Sequence, residues 1–196
     1  MKKLILVLPL LLLGCGKSQE SVEPIIAEIK QELIVKEILL DYRKVESVEA
    51  KSRSTVAVAS TYVGFHERSH RRELREFMGV DPVRIDWCAA FVNSVLAELG
   101  IPGSDSVSEW PLTARSFLRW GIRVREPQVG DIIVFPRGNE SWQGHVGFYY
   151  GTEYRNGRKF YQILGGNQSN AVTIELFPAR SAISIRRYVT SVIAQQ

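Results

Sequence analysis

The sequence has little of what crosslinked or metal-rich proteins need: two cysteines, two methionines and three histidines in 196 residues. Two cysteines exclude a disulfide framework of the kind that staples small secreted domains. Long apolar runs are scarce too. The one candidate, Leu4 to Leu13, is about ten residues and too short to span a bilayer comfortably. No internal repeat is present. Neither sign of charge dominates: removing Lys2 and Lys3 takes the formal charge from +4 to +2. That balance argues against a nucleic-acid footprint. The densest basic cluster, Arg68, Arg71, Arg72 and Arg75, is interleaved with Glu67, Glu73 and Glu76, as on a solvated helix face.

The N-terminus has a processing signature. Met1-Lys2-Lys3 is a positive n-region, the apolar run follows, and Leu12-Leu13-Gly14-Cys15 closes it with Gly16 behind. This resembles a bacterial lipobox, with cleavage before Cys15 and lipid on its sulfur. Gly rather than Asp after the cysteine implies a lipid anchor at the outer membrane, facing the periplasm. Lipid on Cys15 would leave Cys88 with no partner in the chain. A single thiol in an oxidising compartment is either buried and inert or used.

Residues 16–54 are charged and poor in aromatics, and are expected to form a stalk, possible in part as helix between Ile25 and Val45 with an interruption at Lys36 and Glu37. A domain is expected over residues 55–196. Helices are expected at Val56–Val63, His70–Met78, Cys88–Leu99 and Pro111–Trp120, with Gly64, Gly100 and Gly121 placed as stops. Strands are expected at Asp131–Phe135, His145–Tyr150, Lys159–Leu164, Val172–Leu176 and Ile183–Arg187, with Asn156-Gly157 as a hairpin turn. Helices first and strands after predict an α+β domain on a mostly antiparallel sheet of about five strands.

The chemistry centres on Asp86-Trp87-Cys88-Ala89-Ala90-Phe91. A thiol at a helix N-terminus has its thiolate favoured by the dipole and nearby N–H groups. His145 opens a later strand and could serve as its base. A third polar group would hold the ring; chain order offers Gln162, Asn167 and Gln168. The Cys88 N–H would contribute to an oxyanion hole. Trp87, Trp142 and Gln168 are candidates for substrate contact, although tryptophan is more often core.

The ordered set Asp86–Phe91, then Pro127-Gln128-Val129-Gly130-Asp131-Ile132-Ile133-Val134-Phe135, then Gly144-His145-Val146-Gly147-Phe148-Tyr149, resembles the NlpC/P60 and CHAP superfamily of papain-like cell-wall hydrolases. The segment Leu164-Gly165-Gly166-Asn167-Gln168 resembles a branch found in bacteria and phages. The resemblance covers roughly residues 55 to 190. It implies a papain-like fold and a peptidoglycan amidase or endopeptidase needing no metal or cofactor. Its catalytic residues would be Cys88, His145 and Asn167, in a monomer whose partners are peptidoglycan and, through Cys15, the membrane. CHAP domains often carry Glu where this chain has Gly165, so the orienting residue departs from the pattern. Two rivals stand beside this reading. One is a wall-binding scaffold on the same fold. The other is a zinc peptidase, from His66-Glu67-Arg68-Ser69-His70, which fits H-E-x-x-H; Arg68 and Ser69 count against a buried metal helix there.

Overall fold

The computed structural model describes residues 23–189, with side chains of 25–40 and 50–189; the lipobox and Cys15 lie outside the described residues. Among the described residues no helix is long and apolar enough to cross a membrane. The chain divides into two compact units, Met1–Arg43 and Lys44–Gln196.

Helix α1 runs unbroken over Glu23–Ser60, a stretch of 38 residues that belongs to both units. No interruption occurs at Lys36 and Glu37, because both are good helix formers and the backbone does not need an apolar stripe to continue. In the first unit its apolar side chains, such as Ile29, Leu33 and Ile38, are exposed. The separate helix expected at Val56–Val63 is instead the end of α1 followed by a turn. Gly64 (φ 92) stops it, and its N–H donates to the Val172 carbonyl at 2.9 Å.

The second unit is α+β. Helix α2 (Arg71–Met78) ends at Gly79, whose φ of 69 lets its N–H reach the Arg75 carbonyl. Helix α3 (Cys88–Glu98) is its centre. Ala89, Ala90, Phe91, Val92, Val95 and Leu96 are all buried. The expected helix at Pro111–Trp120 is a 3-10 segment over Ala114–Arg119. Local side chains account for this: Thr113 Oγ1 donates to the Trp110 carbonyl and Ser116 Oγ to that of Thr113, competing with regular helix bonding.

Six strands form one sheet, one more than expected. They are β1 (Ile122–Val124), β2 (Ile132–Pro136), β3 (Gly144–Arg155), β4 (Arg158–Gln168), β5 (Ala171–Pro178) and β6 (Ser184–Arg187), in spatial order β1-β6-β2-β3-β4-β5. Every pairing is antiparallel. Asn156 (φ 49) and Gly157 (φ 73) make the tight β3–β4 turn that an Asn-Gly pair favours. One face of the sheet packs on α3 through Ile132, Val134, Val146, Phe148 and Leu164. The other carries Ile133, Phe135, Tyr149, Tyr161 and Ile163, with Phe177 against them.

Two features fix strand β2 in place. Asp131 is buried, accepts from the Gln128 N–H at 2.7 Å and pairs with Arg187 at 2.8 Å. Gly130 has a φ of 91, and a Cβ there would lie 1.7 Å from the Ser52 carbonyl oxygen, so the end of α1 sits directly on the strand entry.

Candidate functional site: a buried thiol and a held imidazole

Cys88 occupies the first turn of α3, and the Phe91 N–H bonds back to the Trp87 carbonyl at 2.9 Å. The thiol is free and buried. Burial pushes its pKa up; the backbone N–H groups of Val146 and Ala89 and the charge of Arg137 act against that rise, and the Asp86 carboxylate adds to it. A helix N-terminus therefore does not suffice to ionise this sulfur, because desolvation outweighs the N–H groups around it.

His145 lies on β3, paired with Phe135 on β2. It is 1% exposed. Its ring lies parallel to Phe177, with centroids 5.1 Å apart. Nε2 is 2.9 Å from Gln168 Oε1, while Nδ1 is buried with no hydrogen-bond partner. Burial lowers the imidazole pKa to about 4; the Gln168 bond opposes this and the Arg137 charge reinforces it. At neutral pH the pair is a neutral thiol and a neutral imidazole.

The tautomer follows from the bonds of Gln168. Its Nε2 donates to the Ile163 carbonyl (3.2 Å), the Thr173 carbonyl (2.8 Å) and Thr173 Oγ1 (3.0 Å). Two carbonyls cannot be donors, so that end of the amide must be the NH2. Oε1 then faces the ring and can only accept, which makes His145 Nε2 the protonated nitrogen. The lone pair is left on Nδ1. Thr173 Oγ1 in turn donates to Glu175 Oε1 at 3.2 Å, so a carboxylate terminates the chain.

The structure thus gives Gln168 the place expected of Asn167. Asn167 Nδ2 donates to Asp86 Oδ1 at 3.0 Å, and its carbonyl accepts from Arg137 Nη2 at 3.0 Å. Asn167 has a φ of 56 and the β4–β5 register shifts between Gly165 and Gln168, so strand alternation fails at this point. Gln162 is turned elsewhere, donating to Glu153. Gln168 is 1% exposed and cannot also contact substrate as expected. Gly165 explains the room for it: a Cβ there would lie 2.9 Å from Gln168 Oε1 and 3.4 Å from His145 Nε2.

Trp87 is likewise corrected. It is fully buried, and its indole N–H donates to Glu67 Oε2 at 3.3 Å. Adjacency to Cys88 in sequence carried no information about exposure, since consecutive residues at a helix start face different ways. Trp142 is 61% exposed. With Asp86, Cys88, Thr113, Arg137 and Gly144 it lines a cavity of about 100 Å³ that reaches the thiol. The wall at Thr113 is held by Asn93 on α3, whose side chain bonds the Pro111 carbonyl (2.9 Å) and the Ser104 N–H (2.8 Å). Sequence reading had missed Arg137, whose charge acts on both Cys88 and His145; nothing in its loop setting distinguishes it from a solvated arginine.

The H-E-x-x-H segment precedes α2 and lies in a turn. The Glu67 carboxylate is taken by Trp87. His70 stacks on Phe65 at 4.4 Å, and its Nδ1 receives the His66 N–H at 3.2 Å. This is not two histidines one turn apart on a helix beside a free glutamate. Among the described residues no group of three or more His, Cys, Asp and Glu side chains converges.

None of the curated proteins compared matches the chain. Residues 80–167 match the family model of the CHAP domain, a span that includes both Cys88 and His145. A CHAP domain points to hydrolase function of the peptidoglycan type. Over this stretch the chain is similar to a CHAP domain, in line with the resemblance of its motifs to the NlpC/P60–CHAP superfamily.

Proposed function

We propose that the protein is a cysteine hydrolase that cleaves an amide or peptide bond of peptidoglycan. One observation carries the reading. Nδ1 of His145 is a buried, unpartnered acceptor on a ring whose other nitrogen is clamped by Gln168. A buried polar atom left unpaired costs free energy and calls for a role. The adjoining peptide meets Cys88, since the Val146 N–H is directed at its sulfur.

In this reaction Cys88 Sγ attacks the carbonyl carbon while its proton passes to His145 Nδ1. The imidazolium returns that proton to the leaving amine as the C–N bond breaks, and water hydrolyses the thioester. Gln168 positions the ring. The Cys88 N–H, unpaired within its helix, and the Arg137 guanidinium are the donors available to the developing oxyanion. Trp142 is the substrate contact. The neutral ground state means that the thiolate forms during attack rather than before it. His145 is stacked on Phe177, on the face of the sheet away from α3, so its ring must turn toward the thiol cavity before the proton can pass.

Lipid on Cys15 would hold the domain at the periplasmic face of the outer membrane, near its substrate, as a monomer. The rival reading, a wall-binding module without catalysis, draws on one observation: among the described residues no hydrogen bond joins the thiol to the ring. Purified protein incubated with peptidoglycan decides between them. Release of soluble fragments should be lost with a thiol alkylator and in Cys88→Ala, and retained with a chelator. Release surviving Cys88→Ala refutes the thiol; binding without release in the wild type supports the module.

A further inference from the structure

Beside the thiol cavity lies a second one of about 550 Å³ that the chemistry above leaves unused. Its size falls in the range of small-molecule sites. It is lined by Trp110, Trp142, Arg115, Arg119, Thr113 and Ser116, and it shares Thr113 and Trp142 with the thiol cavity. Trp110 is 73% exposed and Trp142 61%. Two indoles left so open at one concavity are unusual, because burying such a ring is strongly favourable.

The remaining lining is polar in a particular way. The Thr113 and Ser116 hydroxyl hydrogens are committed to backbone carbonyls, so their oxygens are free only to accept. Arg115 Nε donates to the Gln143 carbonyl at 2.8 Å, which fixes the guanidinium while leaving its outer N–H groups open. Neither Arg115 nor Arg119 makes an ion pair among the described residues. The cavity thus offers flat apolar faces, acceptors for hydroxyl or amide donors, and two unneutralised cations.

We infer that this cavity is a saccharide subsite, in which the C–H face of an N-acetylated sugar stacks on Trp110 and Trp142 and an adjacent carboxylate pairs with Arg115 and Arg119. A purely apolar ligand would leave the arginines and hydroxyls unpaired. A simple anion would leave the indoles idle. A sugar joined to an acidic peptide uses all three. Because Thr113 and Trp142 wall both cavities, the sugar sits next to the bond presented to Cys88. This placement rests on the thiol-hydrolase reading, but binding itself does not require catalysis.

The test uses the full chain carrying Cys88→Ala, titrated calorimetrically with a soluble disaccharide-tetrapeptide fragment of peptidoglycan and with the same tetrapeptide lacking sugars. The sugar-bearing ligand should bind at least tenfold tighter. Trp110→Ala should remove roughly tenfold of its affinity, with Trp110→Phe restoring most of it and the bare peptide unaffected. Arg119→Gln should weaken binding several-fold and flatten its salt dependence. Equal affinity for the two ligands overturns the subsite, as does a Trp110→Ala effect that is absent or equal on both. If Cys88→Ala binds the disaccharide ligand while the wild type never cleaves it, the subsite stands and the thiol mechanism falls.

Discussion

Acidification should unfold this protein partly through one buried ring. In the unfolded chain His145 titrates near 6.5. In the fold, burial and then the Arg137 charge, against the Gln168 bond, hold it at about 4. Between those values the unfolded chain carries a proton that the folded chain does not. Stability therefore rises with pH through this window and is lost as pH falls from 6.5 towards 4. At 1.36 kcal/mol per unit, the loss between pH 7 and pH 4 is about 3 kcal/mol. That is a large fraction of a typical domain's 5–15 kcal/mol. Many carboxylates titrate over the same range, so the informative quantity is a difference. Urea unfolding of wild type and His145→Gln at pH 7, 6, 5 and 4 should show the wild type losing about 3 kcal/mol more than the variant. Parallel curves would refute the reasoning, because they would mean that the ring is solvated in the fold or already charged.

The other expectations concern the same centre. Alkylation of Cys88 by iodoacetamide should climb with pH to a midpoint above the ordinary thiol value, burial having raised its pKa; a reactive plateau already present at pH 6 would mean a preformed ion pair. Gln168→Leu should lower turnover roughly 10- to 100-fold, since it strands a buried N–H. Nitrogen NMR of His145 should report the Nε2-protonated tautomer in the wild type and a mixture in the variant; an Nδ1-protonated ring in the wild type would undo the assignment. Gly166→Ala should cost about 1–3 kcal/mol, because its Cβ would lie 2.5 Å from Trp87 Cζ3 and 2.7 Å from Phe91 Cβ; an unchanged urea midpoint would contradict the packing.

What could be read from the sequence was whatever depends on local pattern. The order of helices and strands, the Asn156-Gly157 turn and the start of α3 at Cys88 all follow from short-range signals. Strand β1 was not legible, because its three residues pair only with β6, near the other end of the domain. The histidine's partner was misassigned for a related reason. Asn167 was the residue that the resemblance implied; its left-handed backbone, set by distant packing, turns its side chain to Asp86 and brings Gln168 to the ring. Trp87 was misjudged because its burial depends on Glu67 and Gly166, which are distant in sequence.

Gly165 and Gln168 also constrain how this site can change. A Cβ at 165 would lie 2.9 Å from Gln168 Oε1, so a side chain there requires the Gln168 amide to shift from its place against the His145 ring. A lineage exchanging a partner at 168 for one at 165 would have to loosen the hold of Gln168 on the ring. It would then pass through a chain whose imidazole rests on Phe177 without a hydrogen-bond partner. That intermediate orients the ring less well than either design, and a paired replacement avoids it. For anyone comparing related chains, residues 165 and 168 are a single character with two states.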